Sequence, residues 1–144
     1  MGKIRNLIAG FTGAIALNML HEAIRKQGDN VPHIQLLGED ALNKGLTAIG
    51  EPITNENTLY EAALATDVVS NALYYSLIGA GKGTYIWPKA LGLGLSAGIG
   101  AIKLPEAIGL DDAPVARNAQ VKALTIGYYV FGALVTALTL KMLK

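Results

Sequence analysis

The segment Ala123–Leu140, ALTIGYYVFGALVTALTL, contains no charged residue over its whole length. An uncharged apolar run of about eighteen residues is long enough for a helix that crosses the hydrocarbon core of a bilayer. Lys122 and Lys141 flank the run, where cationic side chains can reach the polar headgroups. The segment therefore predicts a transmembrane helix.

The composition of the chain agrees with a membrane protein. Of 144 residues, 51% are hydrophobic and only 16% are charged, whereas soluble domains carry about 25% charged residues. The length suits one domain, so residues 1–144 are expected to form a single helical bundle. The net charge of +1 provides no basic surface for a phosphate backbone, which argues against nucleic acid as a partner. Without cysteine, disulfides and thiolate metal sites are excluded, and no motif indicates a cofactor.

Three further segments have a weaker transmembrane pattern: Asn6–Leu20, Leu59–Ala80 and Ile86–Ile102. The first is uncharged but short, the second contains two acidic residues and the third contains one lysine. A soluble helical bundle is the alternative, but its helices would show a charged face along their whole length. Here the charges concentrate near the segment ends instead. We therefore predict an all-α, polytopic membrane protein with four transmembrane helices.

The longest connection between two predicted spans, residues 29–58, contains an amphipathic pattern. Pro32 lies near its start and Gly50 lies just past its end, as is typical of a helix. We predict an interfacial amphipathic helix in this first long loop. A helix packed over the mouth of the bundle is the alternative. The apolar stripe consists of Ile34, Leu37, Ala41, Leu42, Leu46 and Ile49.

Charge distribution indicates how the protein is oriented. With four spans, both termini and the short glycine-rich connection at residues 79–85 lie on one side of the membrane. That side carries no acidic residue, whereas the opposite side carries most of the acids. The basic residues divide evenly between the two sides, so their number does not indicate the orientation. Because one side lacks acidic residues, we predict that this side, with both termini, is cytoplasmic. The basic residues of the acid-free side are Lys3, Arg5, Lys82, Lys89, Lys141 and Lys144.

Asp67 is the charged residue that least fits a purely structural role. It lies six residues inside Glu61, which is about 9 Å deeper along a helix, where a charge is costly and is functional by default. Asn71 and Tyr74 share its helix face, and Asn18 of the first span lies at a comparable depth. Two roles are open: a hydrogen-bond cluster that fixes helix register, or a binding or relay site for a proton, cation or small polar solute.

The end of the first span adds His21 and Glu22 to the candidates. Ion pairing at the helix end, with Arg25, is the structural alternative. A metal site that includes His33 is a third possibility, but Arg25 stands where the H-E-x-x-H pattern requires its second histidine. We therefore assign no catalytic residue and no metal ligand. The predicted ligand-binding set is Asp67, Asn71, Tyr74, Asn18, His21 and Glu22.

The third span carries two rows of small residues at helical spacing. Gly92, Ser96 and Gly100 form one row, and Gly94 and Gly98 form the other. In lipid, small residues let helix backbones approach closely. The rows can pack within the bundle or form a homo-oligomer contact, and the sequence leaves both uses open.

Four motifs carry a resemblance to a known group of proteins: GFTGAIAL at 10–17, HEAIR at 21–25, LPEAIGLDDAPVAR at 104–117 and YYVFG at 128–132. Together they resemble small bacterial inner-membrane proteins of unassigned activity, loosely the YagU-like proteins. The resemblance implies a multi-pass fold in the bacterial inner membrane, surrounded by membrane lipid. It implies no catalytic residues.

The sequence thus predicts a small integral membrane protein with a polar intramembrane binding or permeation site around Asp67. A structural or accessory membrane subunit without activity of its own is the alternative, and a metal-dependent membrane enzyme ranks third. Enzymatic activity is not expected.

Overall fold

The computed structural model describes residues 2–28 and 30–144. This part of the chain contains no strand, which confirms the all-α prediction. Its six α-helices are α1 (Gly2–Arg25), α2 (Ile34–Ala48), α3 (Glu56–Ser76), α4 (Ile86–Ala107), α5 (Ala113–Ala116) and α6 (Ala119–Met142).

The four long helices, α1, α3, α4 and α6, run antiparallel to their neighbours. Helix α6 lies between α1 and α4, and α1 lies between α6 and α3. Helices α3 and α4 are joined by two short 3₁₀ turns, Leu77–Gly79 and Gly83–Tyr85. Near this connection the hydroxyl of Tyr74 donates a hydrogen bond of 2.9 Å to the carbonyl oxygen of Leu93. The long helices therefore lie in the order α3, α1, α6, α4, and α3 and α4 meet through this hydrogen bond near the end that holds the connection.

Helix α1 passes both of its neighbours at backbone contact distance. A Cβ atom on Gly10 would collide with the carbonyl oxygen of Ala72 in α3. A Cβ atom on Gly13 would collide with the carbonyl oxygen of Gly132 in α6. Only glycine permits this approach, because any side chain would push the helices apart.

Helix α2 packs across α3 and α5 at the end of the bundle where α1 ends. Of the predicted apolar stripe only Ile34 is buried, while the other members are half-buried or exposed. Lys44 Nζ donates to the carbonyl oxygen of Gly109, at 2.9 Å, beyond the end of α4. The helix predicted in the first long loop is therefore present, and its contacts favour packing over the bundle mouth.

Two helices of the described chain are long and apolar enough to cross a membrane by length and composition, α1 and α6. Only 33% of the apolar window in α1 and 44% of that in α6 are buried, so both helices present apolar side chains outward. Helix α3 carries Glu56, Glu61 and Asp67, and α4 combines several glycines with Lys89 and Lys103. Four spanning helices are therefore not confirmed by this criterion.

The two small-residue rows of α4 have different surroundings. Gly94 and Gly98 are buried against α6, where a Cβ on Gly98 would lie 2.6 Å from the Cα of Ile126. Within one chain, α6 therefore covers this row, and a homo-oligomer contact through α4 stays a prediction. The row that is exposed or half-exposed consists of Gly92, Ser96 and Gly100.

Leucine substitutions in the two rows should have different effects. Gly98→Leu would force a side chain into the α6 backbone, and overpacking of this kind costs about 1–3 kcal/mol or more. We expect a lower melting temperature in mild detergent. Gly92→Leu, where a Cβ meets nothing within 4 Å, should melt like the wild type.

Light scattering on the Gly92→Leu protein also tests the exposed row as the contact of a homo-oligomer, because the variant stays folded. A reduced oligomer mass would support that contact. Equal melting temperatures for Gly98→Leu and Gly92→Leu would contradict the internal packing.

Candidate functional site

Asp67 accepts hydrogen bonds from two neutral amides. Its Oδ2 accepts from Asn18 Nδ2 of α1 at 3.1 Å, and its Oδ1 accepts from Asn71 Nδ2 of α3 at 3.0 Å. Within residues 2–28 and 30–144 no cationic side chain pairs with this carboxylate. Since a carboxylate offers about four acceptor sites, Asp67 links α1 to α3 and still has acceptor capacity left.

A cavity adjoins Asp67 between α1, α2 and α3. It measures about 390 Å³ including its open mouth, and its interior has room for about two water molecules. Its size limits any occupant to an ion or a few small molecules. Apolar side chains form the rest of its wall, and the polar lining consists of Asn18, His21, Glu22, Gln35, Tyr60 and Asp67.

Gln35 contributes an amide oxygen that lacks a partner. Its Oε1 is buried and accepts no hydrogen bond in the described structure, and its side chain lines the cavity. Buried polar oxygens without a partner are rare in folded proteins and call for an explanation such as a bound water or ion. The sequence did not identify Gln35, because its position depends on how α2 packs over α1 and α3.

His21 connects α1 to the start of α2. The side chain is only 4% exposed, and its Nε2 accepts a hydrogen bond of 3.1 Å from the backbone N–H of Ile34. The first N–H groups of a helix have no partner within the helix, and His33 at the N-cap provides no side-chain bond. The ring of Tyr128 packs against the imidazole edge-on, with centroids 6.1 Å apart. His21 therefore caps α2 through an Nε2 that carries no proton.

Glu22 lies at the rim of the cavity with its charge compensated. Its Oε2 accepts from Arg25 Nε at 2.7 Å, and its Oε1 accepts from the Tyr60 hydroxyl at 2.5 Å. This arrangement matches the helix-end ion pair considered from the sequence. Asp67 is therefore the carboxylate of the cavity that no cation neutralises.

Tyr74 does not line the Asp67 cavity. It lies seven residues from Asp67, about 10 Å along the helix, where its hydroxyl donates a hydrogen bond to the Leu93 carbonyl of α4. His33 likewise does not line the cavity, and its Nε2 donates to the carbonyl oxygen of Gly28 at 3.1 Å. Among the residues that the structure describes, no group of three His, Asp or Glu side chains could hold a metal ion.

Replacing His21 with phenylalanine should weaken the attachment of α2. The ring keeps most of the buried volume but leaves the Ile34 N–H without an acceptor, at a cost of about 1–3 kcal/mol. We expect faster amide hydrogen exchange over the first turn of α2. His33→Phe is the matched control, because His33 bonds only an exposed loop carbonyl. Equal exchange in the two variants would contradict the capping role.

Comparison with family models, curated proteins and solved structures finds no match for this chain. The resemblance to small bacterial inner-membrane proteins therefore stays a prediction from the four sequence motifs.

Proposed function

We propose that this chain is an integral membrane protein with four spanning helices, located in the bacterial inner membrane, whose Asp67 cavity binds a proton or a small monovalent cation. One observation carries the proposal. A carboxylate held only by neutral amides adjoins a small cavity that also contains the partnerless oxygen of Gln35. An ionised group in such a place is by default functional in a membrane protein.

Exposed apolar side chains on all four long helices support the membrane location. Phe11, Leu73, Leu95 and Phe131 are each more than 40% exposed on α1, α3, α4 and α6 in turn. In water an apolar surface of this extent would promote association. The charges of α3 and α4 fit four spans, because Asp67 points into the bundle and the other charged side chains lie near the helix ends.

The charge and the donor atoms of the cavity favour a monovalent ion. Glu22 is neutralised by Arg25, so Asp67 alone gives the cavity one net negative charge when it is ionised. Its available ligands are oxygens, because the Nε2 of His21 already accepts from Ile34. Ca²⁺ usually requires six to eight oxygens and several carboxylates. The small interior also argues against a larger polar solute.

The glycine contacts favour binding over permeation. Gly10 lies eight residues below Asn18, about 12 Å along α1, and there the backbones of α1 and α3 touch. A path from Asp67 to the opposite end would require these helices to separate. We therefore propose a site that an ion enters from the end where α1 ends.

A structural or accessory subunit is the second candidate function, and the hydrogen bonds of Asp67 favour it. Both carboxylate oxygens already accept from amides, and the Asn18 bond fixes α1 against α3. A cluster that only holds register would need no ion. The two functions differ in whether the carboxylate must ionise.

The Asp67→Asn variant distinguishes them. We expect NaCl, compared with choline chloride, to raise the melting temperature of the purified wild-type chain, with a smaller effect as protons compete at lower pH. Asp67→Asn should abolish this sodium response. The salt-free variant should lose only about 1 kcal/mol, since an amide keeps most of the hydrogen bonds.

Glu61→Gln is the matched control, because Glu61 is an exposed carboxylate on the same helix. It should retain the full sodium response. A wild type without any sodium or pH response, or a response that survives in Asp67→Asn, would favour the structural role.

Topology reporters test the four-span arrangement. A reporter fused after Lys144 should be cytoplasmic, and one inserted near Asn55, before α3, should lie on the opposite side. The reason is that two antiparallel pairs of spans place both termini together. Signals from the same side at both positions would exclude four spans.

A further inference from the structure

We infer a second binding site, for an anionic phospholipid, at the end of the bundle opposite the Asp67 cavity. The inference rests on the membrane location proposed above, but it is independent of ion binding at Asp67. Its residues come from the start of α1 and the end of α6.

The site is a groove between these two helix ends. It has a volume of about 740 Å³ including open space, and Gly2, Ile4, Arg5, Ile8 and Leu143 line it. The three large apolar side chains of the lining are all exposed. They form an apolar wall beside one cationic group, which is the combination that an acyl chain and its phosphate require.

Arg5 supplies the cationic group and has no hydrogen-bond or ion-pair partner among the described residues. Its Nε is buried and donates no hydrogen bond, and no acidic side chain of the described chain pairs with it. A buried donor without an acceptor is destabilising, more so when the group is charged. A phosphate oxygen would satisfy the guanidinium, whose planar fork suits phosphate geometry.

The charges around the groove select an anionic headgroup. No acidic residue occurs before Glu22, between Asp67 and Glu106, or after Asp112. The bundle end that holds the groove is therefore free of acids. Its other basic residues are Lys3, Lys82, Lys89, Lys141 and Lys144.

A free phosphate ion would occupy only the cationic part of the groove. It would satisfy Arg5 but leave Ile4, Ile8 and Leu143 exposed. A phospholipid places its phosphate at Arg5 and its acyl chain along the apolar wall. The geometry therefore points to a lipid with a negatively charged headgroup.

Lipid titrations of the purified full chain in mild detergent test this site. Phosphatidylglycerol should bind and raise the melting temperature more than phosphatidylcholine with the same acyl chains. Arg5→Gln should weaken phosphatidylglycerol binding roughly fivefold, the loss expected for one basic contact near a membrane surface. Arg5→Lys should retain most of the affinity, because the charge remains.

Lys82→Gln is the matched control, because it removes the same charge from the same end outside the groove. It should change phosphatidylglycerol affinity by less than Arg5→Gln. Leu143→Ser should weaken binding of the lipid without changing any effect of inorganic phosphate. Equal losses for Arg5→Gln and Lys82→Gln, equal binding of the two lipids, or inorganic phosphate that reproduces the full effect would each overturn the site.

Alkaline carbonate extraction, together with the lipid titrations, shows whether the membrane location or only the lipid site is wrong. If the chain is released from membranes by alkaline carbonate, the membrane location and both proposals fail together. If it remains in the membrane and binds the two lipids equally, only the lipid site fails. A sodium response that depends on Asp67 is unaffected by either lipid result.

Discussion

The close approach of α1 to α3 and α6 brings the side chains of the candidate site together. At Gly10 and Gly13 the helix backbones touch, so no side chain separates α1 from its neighbours. From there the helices continue at a spacing short enough for Asn18 to reach Asp67 across the interface. Two turns further from Gly13, His21 contacts both Tyr128 of α6 and the start of α2. The glycine contacts therefore hold α1 close to α3 and α6, and the cavity lies further along α1, beside Asn18 and His21.

Most of the fold and part of the site were predictable from the sequence. Apolar runs with few charges indicated the long helices, and an offset of four residues placed Asn71 beside Asp67, where it donates a hydrogen bond. The contributions of Gln35 and Ile34 were not predictable, because they depend on the packing of α2 across the bundle mouth. Tyr74 shares the helix face of Asp67 by spacing, but helical spacing does not reveal that its hydroxyl bonds to the Leu93 carbonyl of α4. The two glycine rows of α4 have the same spacing, so only the structure shows that Gly98 faces α6.

The two ends of the bundle differ in chemistry. One end holds the Asp67 cavity, covered by α2 and bordered by the Glu22–Arg25 ion pair. The other end holds basic residues without acidic side chains and a groove in which the Nε of Arg5 has no partner among the described residues. In the membrane location that we propose, anionic headgroups attract the basic end, and the proposed cation site lies at the opposite end. The glycine contacts of α1 lie between the two ends.

The NMR signal of the Asp67 carboxyl carbon tests directly whether the cavity binds a proton or a monovalent cation. Carbon-13 NMR of the full chain with labelled aspartate, assigned by the signal missing in Asp67→Asn, follows this group without relying on stability. We expect the Asp67 signal to shift when sodium replaces choline at constant pH. We also expect it to shift as pH changes at constant sodium, because protons and sodium compete for the carboxylate. An Asp67 signal that stays unchanged in both titrations would contradict the proposal that the cavity binds a proton or a monovalent cation.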